Sequence, residues 1–213
     1  MTVMPASLVT GAAGFVGSHL CERLLQAGHQ VIGLDAFTDY YPRVVKEANL
    51  ATLRTRPDFR FLEVELARAD LAPVVAEADF IFHQAGQPGV RASWGKDFDV
   101  YVEYNIRATQ RLLEAARGST RLQRLVFASS SSVYGDARDL PLREESPTRP
   151  YSPYGVTKLA AVKRRTRRSC WHAWPALELD HAGLKRGCRS SRGGRAKTLR
   201  PRHSVAFAGR SDG

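Results

Sequence analysis

The sequence predicts an α/β fold, a doubly wound parallel sheet with helices on both of its faces. Short apolar runs of strand length alternate with longer stretches of helical periodicity over residues 1–162. A glycine-rich turn joins the first apolar run to the first helical stretch. Strands that alternate with helices pair in parallel through right-handed crossovers, and this pairing generates a doubly wound sheet.

Five apolar runs have the length and composition of buried strands. They cover residues 7–10, 30–35, 59–64, 79–85 and 124–130. A first helix is predicted after the glycine turn, with Gly28 placed to end it. A long helix is predicted over residues 98–116, where apolar side chains recur along one face. Residues 135–150 are polar and contain three prolines, so they are predicted to form a loop.

Composition and charge divide the chain into two parts. The chain has 213 residues and a net charge of +11. Residues 1–158 contain 18 Lys and Arg and 18 Asp and Glu, so residues 159–213 carry the entire excess charge. We therefore predict a neutral globular domain over residues 1–162 and a basic, disordered tail over residues 163–213.

The sequence also favours a cytoplasmic location. The N-terminus MTVMPASLVTGAAGF lacks the basic start of a signal peptide and is predicted to form a strand and a turn. No apolar run has the length needed to span a bilayer, and no membrane partner is expected. Three cysteines do not provide a disulfide framework, so a reducing compartment is expected.

The turn TGAAGFVG has the features of a dinucleotide-binding loop. Gly11, Gly14 and Gly17 allow a tight turn, close approach of a pyrophosphate and close packing of helix against strand. The free N–H groups at the helix start, near Gly14 and Phe15, favour an anion. These residues are predicted to bind the cofactor.

Asp35 ends the second predicted strand, 18 residues after Gly17. A carboxylate at this position can accept hydrogen bonds from both ribose hydroxyls of adenosine, and it would repel a 2′-phosphate. No Lys or Arg lies between Asp35 and Arg43, so the sequence favours NAD over NADP as cofactor. The alternative is that Asp35 is only a turn residue at the strand end.

A candidate catalytic group follows the fifth strand. Ser152 and Pro153 are typical of a helix start, and Tyr154 and Lys158 then lie four residues apart on one helix face. A lysine ammonium beside a tyrosine lowers the pKa of the phenol, which then serves as a general base. A serine from the run 129–132 would hydrogen-bond the same substrate oxygen.

Together the motifs TGAAGFVGSHL, the Asp35 strand end, SSSSVYG and SPYGVTK resemble the extended short-chain dehydrogenase/reductases, the NAD-dependent epimerases and dehydratases of nucleotide sugars. HQAGQPGVRASW is similar to the segment after the fourth strand in UDP-glucuronate and UDP-glucose 4-epimerases. The resemblance covers roughly residues 6–161 and implies a Rossmann domain. It also implies Tyr154 as catalytic base, Lys158 as the residue that tunes it and holds the nicotinamide ribose, and Ser130 as the catalytic serine.

The resemblance further implies a reaction and partners. A UDP-sugar would be oxidised to a 4-keto sugar. Return of the hydride to its other face would give epimerisation, whereas prior loss of carboxylate or water would give decarboxylation or dehydration. Members of the family often dimerise through a helix bundle that includes the Tyr154 helix. Asn105 matches a recurrent family asparagine, for which a structural role is expected. Two positions depart from the family pattern: Gly86 replaces an alanine, and Glu65-Leu66 stands where an Asp-Leu pair usually lies near adenine.

The tail departs from the resemblance altogether. Val156, Leu159 and Ala160 predict a buried stripe on the Tyr154 helix, and its continuation falls on cations at 163, 164 and 167. We interpret this break as a reading-frame shift after about Ala161, which would leave the substrate-binding part missing and put turnover by the chain in doubt. The alternative function is a non-catalytic NAD-binding remnant whose basic tail binds nucleic acid or an anionic surface, with Trp171 and Trp174 stacking on bases.

No metal site is predicted. Four residues of the tail have side chains that bind zinc, but their spacing matches no strong zinc pattern: Cys170, His172, His181 and Cys188.

Overall fold

The computed structural model describes residues 4–137 and 140–162. Its strands are β1 (Ala6–Thr10), β2 (Gln30–Asp35), β3 (Phe59–Glu63), β4 (Phe80–His83) and β5 (Arg124–Phe127). They form one parallel sheet in the order β3-β2-β1-β4-β5. The predicted doubly wound sheet is confirmed, and each strand matches its predicted run to within a few residues.

Helices connect successive strands. They are α1 (Phe15–Gln26), α2 (Arg43–Ala51), α3 (Ala72–Ala76), α4 (Phe98–Tyr101), α5 (Ala108–Arg117) and α6 (Pro153–Val162). A π-helical segment, Val102–Arg107, joins α4 to α5, so the predicted long helix is present with one widened stretch in its middle. The described part of the predicted loop 135–150 contains no helix or strand.

Two apolar layers cover the two faces of the sheet. Because side chains alternate along a strand, Leu8 and Val9 of the central strand β1 enter different layers. Residues of α1 and α2 form one layer with Val9, and residues of α3, α5 and α6 form the other with Leu8. All five residues of β1 are buried. This burial on both sides explains why the strands are continuous apolar runs.

Gly28 follows α1 with a φ of +83°, in the left-handed region. The neighbouring backbone N–H groups of Ala27 and Gly28 return to carbonyls of the last turn. The predicted helix end at Gly28 is therefore confirmed. Two short helices, α2 and α3, were not predicted, because neither carries a sustained apolar face.

The predicted apolar stripe of α6 is wrong. Val156 is 48% exposed, and Leu159 and Ala160 are only partly buried. The buried residues of α6 are instead Gly155, Thr157, Lys158 and Ala161. The helix turns its small and polar residues inward because it packs against a serine turn and the π-helical segment rather than against a purely apolar surface. The stripe therefore gives no support to an interruption of the sequence after Ala161.

The predictions for the tail, residues 163–213, lie outside the described residues. This applies to the frame shift, the nucleic-acid interaction and the four metal-binding side chains. Among the described helices, none is both long enough and apolar enough to cross a membrane.

Candidate active site

The glycine turn between β1 and α1 is built for close backbone contact. Gly11 has a φ of +71°, and a Cβ on it would lie 2.8 Å from the backbone nitrogen of Ala85. A Cβ on Gly17 would collide with the carbonyl oxygen of Gly11. The turn therefore requires glycine at both positions, and it places Gly14 and Phe15 at the first turn of α1.

Asp35 is held in place at the end of β2. Its Oδ1 accepts a hydrogen bond from the backbone N–H of Phe37 (2.8 Å), and its Oδ2 accepts one from Ala13 (3.2 Å). Asn49 of α2 also donates to the carbonyl oxygen of Ala13 (2.9 Å). The carboxylate and the glycine turn are thereby fixed relative to one another.

A cleft of about 310 Å³ runs along these elements. Its lining includes the five residues that were predicted to bind the cofactor without a catalytic role: Gly11, Gly14, Phe15, Gly17 and Asp35. The opposite wall is the segment after β4, residues 84–88. Val64 and Leu66 also line the cleft. They provide an apolar surface on either side of Glu65, the residue that stands where the family usually has an aspartate near adenine.

The sequence did not single out Lys46, whose side chain is buried beside the cleft. Its ammonium lies 3.6 Å from Oδ1 of Asp35 and donates to the carbonyl oxygen of Thr38 (2.9 Å). It is the second cation after Asp35 in the chain, and α2 folds it back onto the end of β2. The sequence feature that could have indicated this ion pair is the position of Lys46, eleven residues after the strand-end Asp35.

The serine turn and α6 bring the predicted catalytic residues together. Ser130 accepts a hydrogen bond from the N–H of Ser132 (3.2 Å) at the start of a 3₁₀ turn, Ser131–Val133. Its side chain also lies close enough to the Tyr154 phenol to lower the pKa of that group. A Cβ on Gly155 would lie 2.5 Å from the carbonyl oxygen of Ser132, so α6 packs directly on this turn.

The start of α6 is fixed by two further hydroxyls. Ser152 accepts from the N–H of Gly155 (3.1 Å), which confirms its predicted capping role. Ser93, which is fully buried and was not predicted, accepts from the N–H of Tyr154 (3.0 Å). The ring of Tyr101 meets the ring of Tyr154 edge-on at 6.3 Å. The Tyr154 side chain is thus positioned from several elements.

The electrostatics of Tyr154 differ from the prediction. Burial raises the pKa of its phenol above the ordinary value, and the nearby side chain of Ser130 lowers it only in part. The Lys158 ammonium lies over the ring of Phe127, 4.4 Å from its centre. Burial lowers the pKa of Lys158 to about 8. The prediction that Lys158 depresses the phenol pKa is wrong for this structure, because desolvation of the phenol dominates.

Lys158 connects the catalytic group to the cleft. Its Nζ lies 3.9 Å from the position that a Cβ would take on Gly86, and Gly86 lines the cleft. Tyr154, Lys158 and Ser130 do not themselves line the cleft and lie beyond this end of it. A Cβ at position 86 would lie 2.9 Å from Oδ1 of Asn105, so the close packing of this wall on Asn105 favours glycine.

Asn105 has the structural role expected for it. Its Nδ2 donates to the Thr157 hydroxyl of α6 (3.0 Å) and to the carbonyl oxygen of Gln87 (3.2 Å). Its Oδ1 accepts from the N–H of Gln87 (2.7 Å). The buried amide therefore ties the cleft wall and the catalytic helix to the π-helical segment.

His83 forms a buried link beneath the same wall. Its Nδ1 lies 2.7 Å from the Thr10 hydroxyl, and its Nε2 lies 3.0 Å from the Thr109 hydroxyl. Thr109 already donates to the carbonyl oxygen of Asn105, so we assign the imidazole proton to Nε2. Burial, together with the charge of Lys158, lowers the pKa of His83 to about 3. The side chain is a neutral structural group.

A glycine turn, a strand-end carboxylate and a Ser-Tyr-Lys group on one doubly wound sheet define a dinucleotide-dependent enzyme class. The family model for the NAD dependent epimerase/dehydratase family matches residues 7–167. The chain belongs to this family.

Individual relatives agree with the family match. The chain is 50% identical to the uncharacterized UDP-glucose epimerase YtcB of Bacillus subtilis, over 73% of this chain and 49% of that protein. It is 39% identical to a UDP-glucose 4-epimerase of Mycolicibacterium smegmatis, over 72% of this chain and 48% of that protein. The chain thus spans about half the length of these curated relatives.

A solved structure also matches the chain. It is the UDP-glucuronic acid 4-epimerase of Bacillus cereus in complex with UDP-glucuronic acid and NAD, with 43% identity and a TM-score of 0.70. The match covers 73% of this chain and 49% of that one.

Proposed function

We propose that the chain is an NAD-dependent 4-epimerase of UDP-sugars, working through a 4-keto sugar. The observation that carries the proposal is the placement of Ser130 beside the Tyr154 phenol, where α6 packs on the serine turn near the end of the glycine-turn cleft. Relatives that act on UDP-glucose and UDP-glucuronic acid support the substrate class. The cytoplasmic location and homodimer remain predictions.

The cleft fits NAD on grounds of its own chemistry. The N–H groups at the start of α1 favour a pyrophosphate, and the two glycines that tolerate no Cβ, Gly11 and Gly17, keep the backbone close. The fixed carboxylate of Asp35 suits two ribose hydroxyls. When bound, NAD would accept a hydride from the sugar and return it.

The chain's own residues supply the proton chemistry. Tyr154 would take the proton from the sugar C4 hydroxyl, with Ser130 beside the phenol and able to orient the same oxygen. Lys158 carries a positive charge near neutral pH at the cleft end, where it would hold the nicotinamide ribose. Asn105, Ser93 and Ser152 hold these groups in position rather than reacting.

Turnover of the full chain tests the proposal. Purified protein is incubated with NAD and UDP-glucuronate or UDP-glucose, and the 4-epimer is measured by anion-exchange chromatography and NMR. Tyr154→Phe should reduce the rate by about a hundredfold or more, because it removes the general base. Tyr151→Phe makes the same chemical change on a 75% exposed residue and should retain the rate.

Two results would contradict the proposal. One is a folded, NAD-binding protein that forms no epimer from either substrate. The other is turnover that survives Tyr154→Phe unchanged. The nucleic-acid alternative depends on residues 163–213, and no described residue favours it.

A further inference from the structure

Tyr41 carries a buried hydroxyl that completes no hydrogen bond within the described part of the chain. The residue lies on the loop between β2 and α2 and lines the cleft. An unsatisfied buried hydroxyl is costly, and in native proteins each such group calls for an explanation. A ligand that completes its hydrogen bonding is one such explanation.

The hydroxyl is aimed at the first turn of α1. It lies 3.7 Å from the position that a Cβ would take on Gly14. The backbone amide of Phe15 approaches it closely enough to lower the pKa of the phenol, although burial and the charge of Asp35 raise that pKa more strongly. The phenol therefore stays protonated, and its proton is available to an acceptor.

The ring of Tyr41 has two neighbouring side chains. The Lys46 ammonium lies 5.1 Å from the ring centre, and the Tyr40 ring meets it edge-on at 6.2 Å. Lys46 is itself fixed by Asp35 and Thr38. The hydroxyl is thus presented by a positioned ring rather than by a freely rotating one.

Two kinds of donor converge at this point. The first N–H groups of α1, a helix of 12 residues, lack acceptors within the helix, and the residues of this first turn line the cleft. The Tyr41 hydroxyl adds a side-chain donor beside them. Donors gathered at one point suit an anionic oxygen.

We propose that Tyr41 is a phosphate-binding residue of the cofactor site, whose hydroxyl donates a hydrogen bond to a diphosphate oxygen of the bound dinucleotide. The proposal rests on the proposed function for the nature of that cofactor. It assigns to the β2–α2 loop a contact with the diphosphate, in addition to the contacts from the glycine turn.

Calorimetric titration of the full chain tests this assignment. ADP-ribose and NAD, which both carry the diphosphate, are titrated into the unchanged protein, Tyr41→Phe and Tyr151→Phe. Tyr41→Phe should weaken both ligands about tenfold, the effect expected for one hydrogen bond to a charged group. Tyr151→Phe should leave both affinities within about twofold. Adenosine, which lacks phosphate, should bind the Tyr41→Phe variant as it binds the unchanged protein.

The outcomes separate the two proposals. If the unchanged protein binds neither NAD nor ADP-ribose, both the proposed cofactor site and the proposed role of Tyr41 are overturned. If the unchanged protein binds both ligands and Tyr41→Phe binds them equally or more tightly, only the Tyr41 assignment is overturned. An equal loss of adenosine affinity would also overturn it, because the change would then act on the site as a whole. Circular dichroism of each variant establishes that it is folded.

Discussion

Lys46 and Asp35 form an ion pair inside the protein, with Nζ 3.6 Å from Oδ1 and the two side chains only 5% and 9% exposed. The pair connects α2 to the end of β2, and the same ammonium donates to the Thr38 carbonyl oxygen. It fixes the residue that we propose binds the adenosine ribose. The position of the ribose-binding carboxylate therefore depends on a helix that follows it in the chain.

Replacing Lys46 with methionine should destabilise the protein. The aspartate would remain buried without its cation, and breaking such a pair costs about 3 kcal/mol of unfolding free energy. Urea denaturation measures the change. Lys96→Met, on an exposed residue, is the matched control and should change the stability little. Equal effects from the two substitutions would show that the pair contributes nothing.

Adding a methyl group at Gly155 should disturb the catalytic helix. The new Cβ would lie 2.5 Å from the carbonyl oxygen of Ser132, so α6 must move away from the serine turn. We expect Gly155→Ala to lower the unfolding free energy by about 2 kcal/mol. Gly118→Ala is the control, because its Cβ would approach its nearest neighbour only to 4.0 Å. Comparable stability of both variants would contradict the packing described for α6.

Removing the charge of Lys158 should stabilise the free protein. Its ammonium is buried, and burial is the cause that lowers its pKa to about 8. At pH 7 the charged form is therefore a cost to the fold, and Lys158→Met should raise the unfolding free energy by about 2 kcal/mol. Such a gain in stability is expected when a residue that serves the reaction destabilises the fold.

The pH dependence gives that prediction a second measurement. Between about 8 and 10.5 the folded lysine loses its proton while the unfolded lysine keeps it, so the stability of the unchanged protein rises with pH in this window. The advantage of Lys158→Met should shrink over the same range. A variant that is destabilised at pH 7 would show that the ammonium has a compensating interaction in the folded protein.

His83 should make the protein sensitive to acid. The unfolded imidazole takes up a proton below about 6.5, whereas the buried one stays neutral to about 3. Stability therefore falls as the pH decreases through this window, by about 1.4 kcal/mol per pH unit for one proton. His83→Gln should show a shallower decline in denaturation measured from pH 6.5 to 4.5. His19→Gln, on the exposed surface, should keep the original slope, and the same slope in both variants would contradict the assignment.

The strands could be predicted because parallel strands buried on both faces are continuous apolar runs. Their ends at Thr10 and Asp35 then placed the glycine turn and the carboxylate at one edge of the sheet. The Ser130, Tyr154 and Lys158 group followed from motif order. Each of these features is formed by residues close together in the sequence, so residue spacing was enough to predict it.

Features that depend on tertiary packing were not predicted. Only two residues of α2 are buried, Lys46 and Leu50, so the helix shows no apolar periodicity and its lysine was not connected to Asp35. The buried face of α6 was misjudged because Thr157 is buried through its bond to Asn105, 52 residues away. The raised pKa of Tyr154 likewise comes from burial, which residue spacing does not reveal.

Titration of the full chain with NAD and with NADP tests the central claim most directly. If the cleft between the glycine turn and Asp35 is the cofactor site, NAD binds and NADP binds about tenfold more weakly or worse, because the carboxylate opposes a 2′-phosphate. Asp35→Arg should then abolish the preference for NAD. No binding of NAD by the folded protein, or equal affinity for the two dinucleotides, would contradict the account.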